Sequence, residues 1–191
     1  MQFDASLWRD RSWRKFCAGL GKSRTKNRET AWYLDQLAID GISKTIPWCE
    51  KHGLSVNFTR RTDGAYYGDK KLIEITCNAR PLRQLIYLLH ECGHHLIDVC
   101  SPYDQRFAAG YAYAEHPADA SLVPKLTLAN RVSTLEEEFE AWRRGWKLVK
   151  KLSIDLKREH FEQVRISCLS SYILWANTPN DRQKPSSRNH S

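Results

Sequence analysis

The densest group of chemistry-bearing residues in the chain is His90-Glu91-Cys92-Gly93-His94. Residues four apart on a helix project from one face, with Cβ atoms ~5–6 Å apart. Two imidazoles so placed can reach one zinc ion at about 2.0–2.1 Å. Glu91 borders that face, where a carboxylate could hold a metal-bound water and accept its proton. This is the HExxH arrangement, in which the Glu is the general base of a hydrolytic site. The plainer alternative is two core histidines satisfied by hydrogen bonds, with Glu91 in a salt bridge. Against it, the motif falls in an apolar stretch, where unpartnered polar groups cost several kcal/mol, of order 2–7 each.

A hydrolytic zinc site takes three protein ligands and leaves a fourth position open. His95 points ~100° away from His94 on a helix and is a poor third ligand. The acidic cluster Glu136, Glu137, Glu138 and Glu140 offers better ones. Leu135, Phe139, Trp142, Trp146 and Val149 mark an apolar stripe, and Glu138 shares a face with Leu135, Trp142 and Gly145. Glu138 is therefore expected to turn toward the core. Glu136 and Glu140 fall together on the opposite side and Glu137 lies near the back, as a solvated acidic first turn would. The expected metal ligands are His90, His94 and Glu138, holding one Zn2+ per chain, with Glu140 in reserve and Glu91 as the catalytic base. Asp98, four beyond His94, could orient a ligand imidazole. Tyr111, Tyr113 and His116 are available to stabilise an oxyanion.

The elements that must position these groups read as an α+β domain, mainly helical, with a short antiparallel sheet before the HExxH helix. Apolar residues from Glu29 to His52 recur at helical spacing, interrupted by Gly41 and Pro47, which predicts a bend or two helices. LSVNFTRR alternates like a strand, Asp63-Gly64 and Gly68-Asp69 signal turns, and Leu72–Thr76 reads as another strand. Pro81 opens a helix to about Val99 that is apolar nearly all round, hence buried. Residues 101–130 read as an irregular or partly helical crossover. A capping signal at Ser133 or Thr134 starts the next helix, and a last amphipathic piece spans Ile154 to Trp175. The expected organisation is a basic N-terminal segment over 1–27, a zincin-like domain over 28–176 and a disordered tail over 177–191.

Strand Leu72–Thr76, then Asn78 to Pro81, then RQLIYLLHECGHHLI, resembles the core of the ImmA/IrrE-type metallopeptidases. A later Glu-x-Glu-Ala motif on a second helix is matched by Glu138-Phe139-Glu140-Ala141. The same segment resembles the Glu-x-x-Ala helix of other zincins with a glutamate ligand, including the catalytic domain of anthrax lethal factor. The resemblance implies a zincin-like fold and a metalloendopeptidase acting on a protein, as a regulator is cleaved in that family. It places the third ligand at Glu138, three before Ala141. It covers roughly residues 30–150 and departs at Cys92, where a small or aliphatic residue is usual, and at Trp142. No helix-turn-helix is appended.

Composition sets the outer bounds. At 191 residues one domain with a real core is expected. No apolar run approaches the length of a membrane span, and the mixed charge of residues 1–16 makes a secretory leader unexpected. Six cysteines lack a CxxC pair and read as reduced thiols, so the expected compartment is cytoplasmic. A formal charge of +8 is spread along the chain, so nucleic acid is a lesser expected partner than a protein or peptide substrate. Two rivals remain: a non-catalytic zinc-binding interaction protein, and a basic nucleic-acid-associated metalloprotease.

Overall fold

A computed structural model describes residues 27–100 and 128–177. The basic N-terminal segment, the crossover with Tyr111, Tyr113 and His116, and nearly all of the C-terminal tail lie outside the described residues. The element order is α1 (Asn27–Lys51), β1 (Ser55–Thr59), β2 (Gly64–Tyr67), β3 (Leu72–Thr76), α2 (Pro81–Cys100), α3 (Leu128–Lys151) and α4 (Arg158–Ala176). The sheet and helices α2 to α4 belong to one compact unit that begins at Asp35. None of the described helices is long and apolar enough to cross a membrane.

The domain is α+β and mainly helical, with one short sheet ahead of the HExxH helix. Strand order is β1-β3-β2. The β2–β3 hairpin is antiparallel, as the turn signal at Gly68-Asp69 predicts. β1, however, pairs parallel to β3, with Ser55 opposite Leu72, so the sheet is mixed and not wholly antiparallel. Alternation reports which face a strand buries and says nothing of its direction. Ile73 and Ile75 of the central strand are fully buried.

Helix α1 is continuous through Pro47, where a bend or break is expected from sequence. It ends at Gly53, whose φ of 74° sits in the left-handed region. The Leu54 N–H donates to Cys49 O and the Gly53 N–H to Glu50 O, a Schellman cap that delivers Leu54 to the core. The end of α3 repeats this device with Ser153 at φ 51° and Ile154 N–H donating to Val149 O. Helix α3 begins at Leu128, five residues before the Ser133 signal, and α4 at Arg158 and not Ile154. Ser133 is buried inside the helix and does not cap it.

The most extensive contact between elements is that of α2 with α3. Two glycines explain its closeness. A Cβ on Gly93 would run into the carbonyl oxygen of Ala141, and one on Gly145 would lie 2.6 Å from the carbonyl oxygen of Leu89. Each helix therefore supplies a residue without a side chain where the other's backbone passes. This crossing sets the two histidines of α2 against the acidic turn of α3.

Candidate metal centre

His90, His94 and Glu138 converge from the two helices, their ligand atoms all within 4.8 Å of one another. His90 Nε2 and His94 Nε2 are 3.3 Å apart. Glu138 Oε2 lies 3.2 Å from His90 Nε2, and Oε1 lies 3.5 Å from His94 Nε2. Ligands ~2.0–2.1 Å from a tetrahedral centre are separated by about 3.3 Å, the spacing of the two imidazole nitrogens, and Glu138 reaches each of them with a different oxygen. Two further features fit a cation. Glu138 is a carboxylate only 7% exposed, turned toward both imidazoles. The two Nε2 atoms also face each other at a distance that a shared proton or an ion between them would satisfy.

Electrostatics point the same way. Burial works to raise the Glu138 carboxyl, but the charge of His94 and hydrogen bonds from His90 and His94 outweigh it and hold the group far below the usual range. Burial works to lower His94, yet Glu138, Glu137 and Glu91 together raise it well above the usual histidine value. Without a metal, three carboxylates draw a proton onto an imidazole. The site asks for positive charge.

Glu91 is 7% exposed and sits beside this cluster, where burial raises its carboxyl despite the opposing pull of His90 and His94. It packs directly on β2: a Cβ at Gly64 would stand 2.7 Å from Glu91 Oε1. His90 is stacked on Trp142 at 4.1 Å between ring centroids, which fixes the ring plane of one donor. Cys92, where the motif departs from the resembled family, turns away toward α1. Its thiol lies 3.5 Å from that of Cys49, both fully buried.

Three expectations change. Glu137 is not at the back of α3: its Oε1 lies 3.1 Å from His94 Nδ1, the far side of a ligand ring. It thus holds the place in which Asp98 was expected to orient an imidazole. Asp98 instead hydrogen-bonds Tyr66 of β2, whose hydroxyl also meets His95 Nδ1 at 3.2 Å. Glu140 is no reserve ligand, because Arg143 and Arg144 both donate to its carboxylate. His95 is buried on the sheet side, as its angle from His94 requires.

Helix α4 adds residues that sequence reasoning missed. Tyr172 is pushed up by burial, by the charge of Glu138 and by a hydrogen bond to it. Burial and then the Glu138 charge push the Cys168 thiol up to about 11. No local pattern marks Tyr172, since it reaches the site only through the packing of α4 on α3.

The chain matches no protein-family model, no curated protein and no solved structure.

Proposed function

We propose that this protein is a zinc-dependent metalloendopeptidase of the ImmA/IrrE type, hydrolysing a peptide bond in a protein substrate. The observation that carries this reading is the convergence of His90, His94 and Glu138 with a buried carboxylate, Glu91, alongside. His90, His94 and Glu138 would hold the ion, and Glu137 would fix the tautomer and plane of His94. Bound there, zinc lowers the pKa of a coordinated water toward ~7 and polarises a carbonyl.

The remaining work falls to the chain's own groups. Glu91 accepts the proton of the attacking water at a carboxylate oxygen and returns it to the leaving amine. Its raised affinity for protons, a product of burial, moves it toward the range where it can do both. Gly64 leaves room for that carboxylate. β2 is at an edge of the described sheet, so an extended polypeptide laid along it would pass Glu91. Tyr172 is placed to donate a hydrogen bond at the carboxylate of Glu138. A structural zinc site is closed by four ligands, whereas three donors converge among the described residues.

Glu91→Gln should keep the metal and lose hydrolysis, and His90→Ala should lose both. New protein N-termini compared between cells making the wild type and cells making Glu91→Gln would identify the substrate. Undiminished peptidase activity in Glu91→Gln would contradict the reading.

A further inference from the structure

Beside the metal centre, α3 and α4 enclose a groove of about 750 Å³. Trp142 of α3 and Phe161 of α4 lie buried beneath it, Trp146 is half-buried at its wall, and Phe139 stands 46% exposed in the lining. Basic residues line it from both helices: Arg143, Lys147 and Lys150 on one side, Arg158 and Arg165 on the other. Three carboxylates are interspersed, Glu136, Glu140 and Glu162.

How those charges pair decides what the groove can take. Glu140 is shared by Arg143 and Arg144, and Glu162 by Arg158 and Arg165. Each guanidinium has five donors, so an arginine sharing one carboxylate keeps N–H groups for a second acceptor. Lys147 and Lys150 are exposed and have no ion pair among the described residues. Arg158 also lies over the Trp146 ring at 5.3 Å, an arrangement that holds its planar group along the groove wall.

We infer that this groove binds an acidic segment of the polypeptide substrate, one with carboxylate side chains flanking an apolar residue. The inference rests on the peptidase reading above and names its substrate class. Trp142 connects the two places, lining the groove and stacking on His90. A peptide suits the lining better than a nucleic acid does. Glu136, Glu140 and Glu162 would repel a continuous run of phosphates, whereas spaced carboxylates can meet the lysines and arginines one at a time.

The test is fluorescence anisotropy on metal-loaded Glu91→Gln protein, so that binding is read without hydrolysis. The probes are a short fluorescein-labelled Asp/Glu peptide containing one Phe, a Lys-rich peptide of equal length, and a short oligodeoxythymidine. The acidic peptide should bind, more weakly as salt rises, and the Lys-rich one should not. Lys147→Glu/Lys150→Glu should weaken the acidic peptide by about tenfold or more with metal content unchanged, while Lys147→Arg/Lys150→Arg should retain it. On the unsubstituted surface, unlabelled polyglutamate should displace the probe, a readout that needs no groove variant to fold. Equal binding of the two peptides, no effect of charge reversal, no displacement by polyglutamate, or tighter oligodeoxythymidine binding through the same lysines would each overturn the inference. Failure here would leave the Glu91 experiment untouched, and failure there would leave this binding measurable.

Discussion

Glu138 and Glu140 sit two residues apart on α3, and the helix gives them opposite fates. Glu138 lies on the face that crosses α2, 7% exposed, turned toward two imidazoles and, among the described residues, in no ion pair with a guanidinium. Glu140 lies on the groove side, clasped by Arg143 and Arg144. Both carboxyls are held below their usual range, one by histidines that could equally bind a metal, the other by permanently charged arginines. Charge depression alone therefore does not mark a ligand. What marks it is the nature of the partner, since an arginine-paired carboxylate is already satisfied and a histidine-paired one can exchange a proton for a metal ion.

The largest effect expected from disturbing this contrast is at the helix crossing. Gly93→Ala places a methyl into the Ala141 carbonyl, where only backbone can yield. It should cost about 3 kcal/mol or more in denaturant unfolding and should lower metal affinity by parting Glu138 from the histidines. A loss under about 0.5 kcal/mol, within the range of a surface change, would refute the backbone contact. Next comes Glu137→Gln, which keeps the shape but weakens the hold on His94 Nδ1. Metal affinity by competition with a chelator should fall about 10–100-fold, and an unchanged affinity would remove Glu137 from the site.

pH sharpens the same comparison in metal-free protein. The raised His94 contributes stability that is fully present below its unfolded value of about 6.5 and is lost as pH rises through its folded value. The lowered Glu138 contributes stability present above its unfolded value and lost as pH falls through its folded one. Saturating metal should abolish the loss on the alkaline side, because the ion replaces the proton. A metal-free protein whose stability does not decline on that side would contradict the account of His94. The smallest effect is at the end of α3, where Ser153→Gly relieves a φ of 51° and should raise stability by about 0.5 kcal/mol without touching metal binding.

The convergence of His90, His94 and Glu138 is legible in the sequence because its two rules are local. A spacing of four puts His90 and His94 together, and the apolar stripe of Leu135 and Trp142 turns Glu138 inward. Glu137 was misplaced because a face argument follows Cβ directions, whereas a glutamate has three rotatable bonds with which to reach sideways to His94. Pro47 and Gly41 read as interruptions, yet α1 runs through both. The parallel pairing of β1 and the arrival of Tyr172 depend on how distant segments assemble, which no short window encodes. The Ser133 signal imitates a cap, but the helix continues upstream of it to Leu128.

The central claim is most directly tested by titrating zinc into purified, metal-stripped protein, calorimetrically, for the wild type, Glu138→Ala and Glu140→Ala. We expect about one ion per chain for the wild type and for Glu140→Ala, with affinity lost or reduced by several orders of magnitude in Glu138→Ala. Folded wild-type protein that takes up no zinc, or Glu138→Ala binding as tightly as the wild type, would contradict the account.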